Sequence, residues 1–311
     1  MKTENPCLPL PFNGEARRLT GQHGGLHPEK RSLPGKSDSA LLYKSAISIM
    51  GTGKCTLVGA GPGDPELLTI KAVKAIQAAT VLLVDDLVND EIVTAYASPS
   101  ARIVYVGKRG GCKSTPQAFI EKLMVMAANE GENVVRLKGG DPFIFGRGGE
   151  EVEHLQAAGV QVDVVNGITS GLAAVTSLGV PLTHREHAQG VVFVTGHAKP
   201  GDDGTDWRAL AATAHSARLT LVIYMGVTGA ARIEAELLHG LPGTTPVAII
   251  QNASLPTQRH AITTLGRMQR TIVDAQLSSP CIIVVGEVLQ GVALSVLADE
   301  SISQESLRRT G

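Results

Sequence analysis

The chain has 311 residues, 43% of them hydrophobic, and a formal net charge of −1 at pH 7. That is enough apolar material for about two domains with a sizeable core, and near-neutrality excludes the basic footprint of general nucleic-acid or membrane-surface binding. No apolar run reaches the ~20 residues of a membrane helix, and the N-terminus lacks the charged start and apolar core of a secretory signal.

Residues 1–50 are rich in Gly, Pro, Ser, Lys and Arg without a period of 2 or 3.6, and are expected to form a mobile extension. Residues 55–60 (CTLVGA) read as a first strand, followed by the turn Gly61-Pro62-Gly63-Asp64-Pro65 and a helix over 66–79. The G-x-G-x-G spacing does not satisfy the dinucleotide fingerprint. Just upstream, Gly51-Thr52-Gly53-Lys54 fails as a phosphate loop, because Ser48 stands in place of the first glycine and Cys55 in place of the magnesium-binding hydroxyl.

A strand over 81–84 ends at Asp85-Asp86, and one over 103–106 ends at Gly107-Lys108-Arg109. A helix over 119–129, a strand over 133–137, a helix ending near Ala158 and a strand over 160–165 continue the alternation. Such spacing implies right-handed βαβ crossovers and a mostly parallel sheet. Asn166-Gly167-Ile168-Thr169-Ser170 forms another strand-end turn, in which Thr169 or Ser170 can cap a helix over 171–178.

The aperiodic stretch 181–187 is placed as the crossing into a second half. There, strands are expected over 191–195, 219–225, 246–251, 261–265 and 281–285, with helices over 206–212, 229–239 and 266–274. The fold class is thus two α/β domains, with a mostly parallel sheet in the first and a cleft between them. The divisions expected are 1–50, 51–185, 186–295 and a polar tail 296–311.

The segment VVRLKGGDPFIFGRGGEE (134–151) runs a buried strand into clustered glycines and then a helix. Ligand sites in open α/β sheets lie at such strand ends. Gly139 and Gly140 remove side chains that would block approach, and Phe143, Ile144 and Phe145 are expected to line a pocket or seam. Glu150 and Glu151 suit the positive end of the helix dipole. Around this loop the strand ends present Lys108, Arg109, Lys138 and Arg147, with His184, Arg185, His187, His197 and Lys199 farther on, a set suited to a polyanionic small molecule. Asp85 is either a general base or a helix cap, a role Asp86 or Asn89 fills equally well. Cys7, Cys55, Cys112 and Cys281 are scattered and the histidines lack a metal-type pattern, so no metal and no disulfide framework are expected, and the address expected is cytoplasmic.

At LVGAGPGDPELLT, VGKRGG, the long glycine-rich segment, GIT, PLTHRE, VTGH and YMG the chain resembles the uroporphyrinogen-III C-methyltransferases of the tetrapyrrole methylase superfamily. The resemblance implies S-adenosyl-L-methionine-dependent methylation of uroporphyrinogen III at two pyrrole carbons, giving precorrin-2 by way of precorrin-1, with S-adenosyl-L-homocysteine as by-product and no metal. It further implies the tetrapyrrole methylase fold, with a mixed sheet in the second domain, and a homodimer. Carried over by position, Pro62, Gly139, Gly140, Asp141, Ile144, Thr169, Ser170, Met225 and Ala253 would contact the cofactor. Asp85 would accept a proton and Lys108 donate one, with Arg109, Arg147, Thr183, His184 and Arg185 engaging substrate carboxylates or closing the cleft. Asp86 stands where the family usually has Arg, Asn166 for Pro, Ser170 for Ala and Ala253 for Gly. The competing readings are a sister methylase for a later corrin intermediate, a nicotinamide-dependent oxidoreductase and a non-catalytic ligand-binding protein.

Overall fold

The computed structural model describes residues 53–107, 115–198, 201 and 204–291. The expected extension 1–50, the tail 296–311, and Lys108, Arg109, Cys7, Cys112 and Lys199 lie outside them. Strands β1 (Lys54–Gly59), β2 (Val81–Val84), β3 (Arg102–Tyr105), β4 (Asn133–Lys138) and β5 (Gln161–Val165) form one sheet in the order β3-β2-β4-β1-β5. Every pairing in it is parallel.

Helices α1 (Ile70–Ala78) and α2 (Asp90–Tyr96) cover one face of this sheet, where Ala72, Ile76 and Ile92 meet Val58, Leu82 and Leu137. Helices α3 (Gln117–Asn129) and α4 (Gly148–Ala157) cover the other, where Met124 and Leu155 meet Leu57, Leu83 and Val134. A sheet covered on both faces explains why its inner strands read as continuous apolar runs.

The second sheet is mixed, in the order β6-β7-β10-β8-β9, from β6 (Gly190–Thr195), β7 (Leu219–Tyr224), β8 (Pro246–Gln251), β9 (Arg259–Thr264) and β10 (Cys281–Val285). Only β6 and β7 pair in parallel. Helices α5 (Ser170–Thr176), α6 (Trp207–Ala217), α7 (Ala230–Leu237) and α8 (Met268–Asp274) complete it. Trp207, Ile233 and Met268 fill one face. On the other, Ala174 and Val175 of α5 pack with Val222, Ile250 and Val284, so the chain has joined this second core ahead of residues 181–187.

Three elements differ from expectation for local reasons. The helix expected over 66–79 begins later, at Ile70, because the Thr69 hydroxyl accepts from Ala72 N and caps it; Pro65–Leu67 forms a separate short turn. The α2 helix, only seven residues long, is too short for apolar periodicity to mark. The α6 helix runs five residues beyond the expected end at 212 and stops where Arg218 turns left-handed, φ 50°. Cys55 and Cys281 are free and buried, and burial pushes the Cys55 thiol up to about 12, so it packs as a small apolar group.

Candidate active site

Parallel pairing brings the carboxyl ends of β1, β2, β4 and β5 to one edge of the first sheet. In the second, β8 runs with β7 because each is antiparallel to β10, so β6, β7 and β8 also end together. Loops from the two edges touch. Asp64 N donates to Ser254 Oγ at 3.2 Å, the Thr169 and Tyr224 hydroxyls bond at 2.7 Å, and Gly171 N donates to the Tyr224 oxygen at 2.8 Å. The Phe145 ring sits 4.9 Å from that of Tyr224 and Ile144 packs on the second core, placing both at the seam, whereas Phe143 is 52% exposed.

The glycines of the seam do two different jobs. Gly61 N donates to Gly140 O at 3.1 Å and Gly140 N to Gly61 O at 2.7 Å, while a Cβ on Gly59 or Gly167 would lie 2.6 or 2.2 Å from Gly140 O. Three loops therefore pack main chain against main chain. Gly139 belongs to that packing role, since its Cβ would meet Leu87 Cβ at 2.7 Å. Gly140 differs: at φ 69° its added Cβ would meet nothing nearer than Thr169 Cα, 3.8 Å away, with Ser170 N at 3.9 Å. A single Cβ at Gly140 would thus sit in ordinary contact with Thr169 and Ser170, and it is the positive φ that calls for glycine there.

Asp141 ties two loops. One carboxylate oxygen accepts from Phe143 N at 2.8 Å, the other from Asn166 Nδ2 and Gly167 N at 3.1 Å each. The three bonds fix the Asp141 turn and the Asn166-Gly167 turn against each other. Asn166, a departure from the family's usual Pro, supplies one of those donors.

Thr169 stands at the start of α5 yet makes no side-chain cap, because its hydroxyl is turned to Tyr224. Burial raises the Tyr224 phenol above its ordinary value, an effect opposed by the bonds from Thr169 and Gly171. Tyr224→Phe leaves the Gly171 N–H and the Thr169 hydroxyl without this partner, and we expect a loss of about 1–3 kcal/mol in a denaturant melt. An unchanged midpoint would mean water replaces the phenol.

Backbone strain collects here. Of the seven non-glycine residues with positive φ among the described residues, Phe145, Arg147, Met225, Asn252 and Ser254 belong to these loops. Such conformations cost about 1–3 kcal/mol each and gather at ligand sites. Ala253 is not among them; the positive φ falls on its neighbours, so Ala in place of the family's Gly is accommodated. Ala253 is nevertheless buried, 6% exposed, while Met225 at the end of β7 is 48% exposed. Pro62 is half-buried in the first turn, whose Gly63 carbonyl accepts from Asn89 Nδ2 at 2.9 Å.

The charges are arranged otherwise than the sequence suggests. Lys138 is buried and faces Glu151, its Nζ 3.1 Å from Oε2, so it adds no free cation to the seam. Burial first, and Arg136 second, hold the Lys138 ammonium below its ordinary value. Glu150 and Glu151 both stand in the first turn of α4 as expected; Glu151 is fully buried there, whereas Glu150 pairs with exposed Arg147 at 2.6 Å, the bond that chiefly raises the Arg147 guanidinium. Asp85 is not a cap; Asn89 caps α2 by accepting from Glu91 N. Its carboxylate lies 3.5 Å from Arg136 Nη2 and keeps 26% exposure at the end of β2.

Thr183, His184 and Arg185 are exposed and are not brought to this seam. Their turn is closed by His184 and Ala188, and it sits where Gln189 N donates to Arg218 O, just before β7 begins. The rest of β7, about 17 Å at ~3.3 Å per residue, separates it from Tyr224. A cavity of about 240 Å³ near that far end is lined by Glu186, His187, His215 and Arg218. His184, Glu186 and His187 bring possible ligand atoms within 4.8 Å of one another, a grouping in space that no spacing of the H-x-x-x-H kind marks in the sequence. His184 Nδ1 already accepts from Glu186 N, and the two imidazoles stack at 4.6 Å. His197 is exposed in the loop after β6.

Residues 54–269 match the family of Tetrapyrrole (Corrin/Porphyrin) Methylases. The chain belongs to the tetrapyrrole methylases. A uroporphyrinogen-III C-methyltransferase of Pseudomonas aeruginosa is 52% identical to this methylase over 78% of the chain and 96% of its own length. Among solved structures, a uroporphyrin-III C-methyltransferase of Thermus thermophilus complexed with S-adenosylhomocysteine is 40% identical, with a TM-score of 0.64 over 76% of this methylase and 93% of that chain. A cobalt-precorrin-4 methyltransferase of cobalamin biosynthesis superposes with a TM-score of 0.67 at 27% identity, over 76% and 95%.

What sequence reasoning missed are the roles of Tyr224, Ser254 and the buried pair Arg136 and Glu151. Arg136 carried a legible signal, a charge in the middle of the apolar strand VVRLK. Ser254 carried none.

Proposed function

We propose that this methylase transfers methyl groups from S-adenosyl-L-methionine to C2 and C7 of uroporphyrinogen III, giving precorrin-2 by way of precorrin-1 and releasing S-adenosyl-L-homocysteine. The observation that carries the reading is the strained, glycine-lined seam at the carboxyl ends of two sheets, in a chain 52% identical to a uroporphyrinogen-III C-methyltransferase. Identity of 40% to the uroporphyrin-III enzyme against 27% to the cobalt-precorrin-4 enzyme supports this substrate over a later corrin.

The donor, when bound, supplies a sulfonium methyl open to attack by an electron-rich pyrrole carbon. The residues fit such a group: it has no phosphate to cradle, in keeping with the failed phosphate-binding signatures, and Gly140 presents bare main chain next to Thr169 and Ser170. Main chain of Pro62, Gly139, Gly140 and Asp141, with Ile144, Met225 and Ala253, would hold it. The chain's principal task is alignment in a water-poor site, worth up to about 7–11 kcal/mol of barrier in well-oriented systems.

Alkylation of the neutral macrocycle by a cation leaves one surplus proton, which Asp85 accepts. Lys108 is assigned the complementary donor role, returning to the ring a proton matched by one released from another ring position, so that each transfer still yields one proton in all; Arg109 and Arg147 are assigned the substrate carboxylates. Arg147 exchanges Glu150 for a carboxylate of the substrate, a like-for-like replacement of one bidentate partner by another. The working form is a cytoplasmic homodimer, and among the described residues no helix is long and apolar enough to cross a membrane.

The test is incubation of the purified protein with uroporphyrinogen III and methyl-labelled donor. Two labelled methyl groups per macrocycle and a red-fluorescent oxidised product are expected. Transfer only to a later corrin, or binding of donor without transfer, would overturn the assignment.

A further inference from the structure

Strand alternation puts Arg136 and Lys138 on one face of β4. The neighbouring strand adds Asp85 to the same face, because Leu83 pairs with Arg136 and Asp85 follows two residues later. Glu151, from the first turn of α4, covers the group. Its Oε1 accepts from Arg136 Nε at 3.2 Å, from Lys138 Nζ at 3.2 Å and from Gln117 Nε2 at 3.0 Å, while Oε2 has only the Lys138 ammonium beside it. Arg136 in turn reaches Asp85 Oδ1 through Nη2 at 3.5 Å.

Two cations and two carboxylates thus form a neutral set in which three members are almost sealed and one is open. The side chains of Arg136, Lys138 and Glu151 are 3%, 5% and 0% exposed, against 26% for Asp85. Buried ion pairs contribute little net stability over apolar replacements of the same volume. The order of exposure gives the arrangement a direction, from the sealed Glu151 outward to the one carboxylate of the set that solvent reaches.

We propose that Glu151 is a positioning residue for methyl transfer: it anchors the Arg136 guanidinium so that the far nitrogen of the fork holds the Asp85 carboxylate facing the seam. The inference rests on Asp85 being the proton acceptor. Glu151 touches neither substrate nor donor and acts only through Arg136. Gln117 and Lys138 keep it fixed while the fork points outward.

The test is a double-substitution cycle on kcat, with Glu151→Gln and Asp85→Asn singly and together, alongside S-adenosylhomocysteine affinity and thermal melts. Glu151→Gln is expected to lower kcat about 10- to 100-fold, as small misplacements of a reacting group do, with affinity for S-adenosylhomocysteine essentially unchanged. In the Asp85→Asn background the same substitution is expected to cause less than about a twofold further loss, because residues that act as a unit are not additive. Equal fold-losses in both backgrounds would make Glu151 an ordinary structural residue and overturn the proposal, as would full kcat in Glu151→Gln. Should Glu151→Gln not fold, Arg136→Lys retains the charge but not the fork, and its kcat loss must likewise vanish in the Asp85→Asn background. An inactive Asp85→Asn beside a fully active Glu151→Gln sinks this inference alone, whereas wild-type kcat in Asp85→Asn removes the proton-acceptor reading as well.

Discussion

Gly140→Val is expected to weaken S-adenosylhomocysteine binding more than 100-fold in calorimetry, while the protein still folds. Two effects combine. A branched residue at φ 69° is a backbone outlier, and strain of this kind costs about 1–3 kcal/mol, which can be relieved only by moving the loop. That loop exchanges two main-chain bonds with Gly61, so relief displaces the first turn too. The added methyl groups also extend beyond a Cβ position that already lies 3.8 Å from Thr169 Cα and 3.9 Å from Ser170 N, so they crowd that side of the loop. Gly140→Ala separates the two effects, since it introduces the strain with little bulk, and a milder loss of affinity is expected from it. Wild-type affinity in Gly140→Val would remove the long glycine-rich loop from the cofactor site.

Asp85→Asn is expected to lower kcat by about 100-fold or more, the range over which a general base contributes, with the affinity for S-adenosylhomocysteine intact. The substitution keeps size and shape but leaves no carboxylate to take up the surplus proton or to face Arg136. Asn89 caps α2, so loss of a helix cap is not available as an explanation for lost activity. Stopped-flow single turnovers with enzyme in excess would read the chemical step apart from product release. Wild-type turnover there would return Asp85 to an ordinary strand-end acid.

Much of the architecture was legible because parallel strands buried on both faces announce themselves as apolar runs between glycine turns. Strands β2, β6, β8 and β10 stand within a residue of where the pattern puts them. What periodicity cannot say is against which sheet a helix packs. The small-residue helix α5 follows a first-sheet strand yet buries Ala174 and Val175 in the second core.

Charge was read least well, for a related reason: a lysine or glutamate at a strand end can turn outward to the ligand edge or back onto a sheet face. Lys138 and Glu151 turn inward and neutralise each other, while Arg147 and Glu150 stay exposed. The basic cleft inferred from sequence is therefore thinner, among the described residues, than the count of cations implied. Thr183, His184 and Arg185 were grouped with the site by motif, but their turn stands at the far end of β7. Tyr224 was hidden because its role depends on meeting Thr169 from another sheet, a contact 55 residues away in the chain.

A crystal structure of the protein with S-adenosylhomocysteine tests the central claim most directly. The thioether should lie between the 139–141 main chain, Thr169–Ser170 and Met225, with Asp85 facing the vacated methyl position. Density for the ligand in the cavity beside His187 and Arg218, or anywhere that leaves Gly140 and Thr169 uncovered, would contradict it.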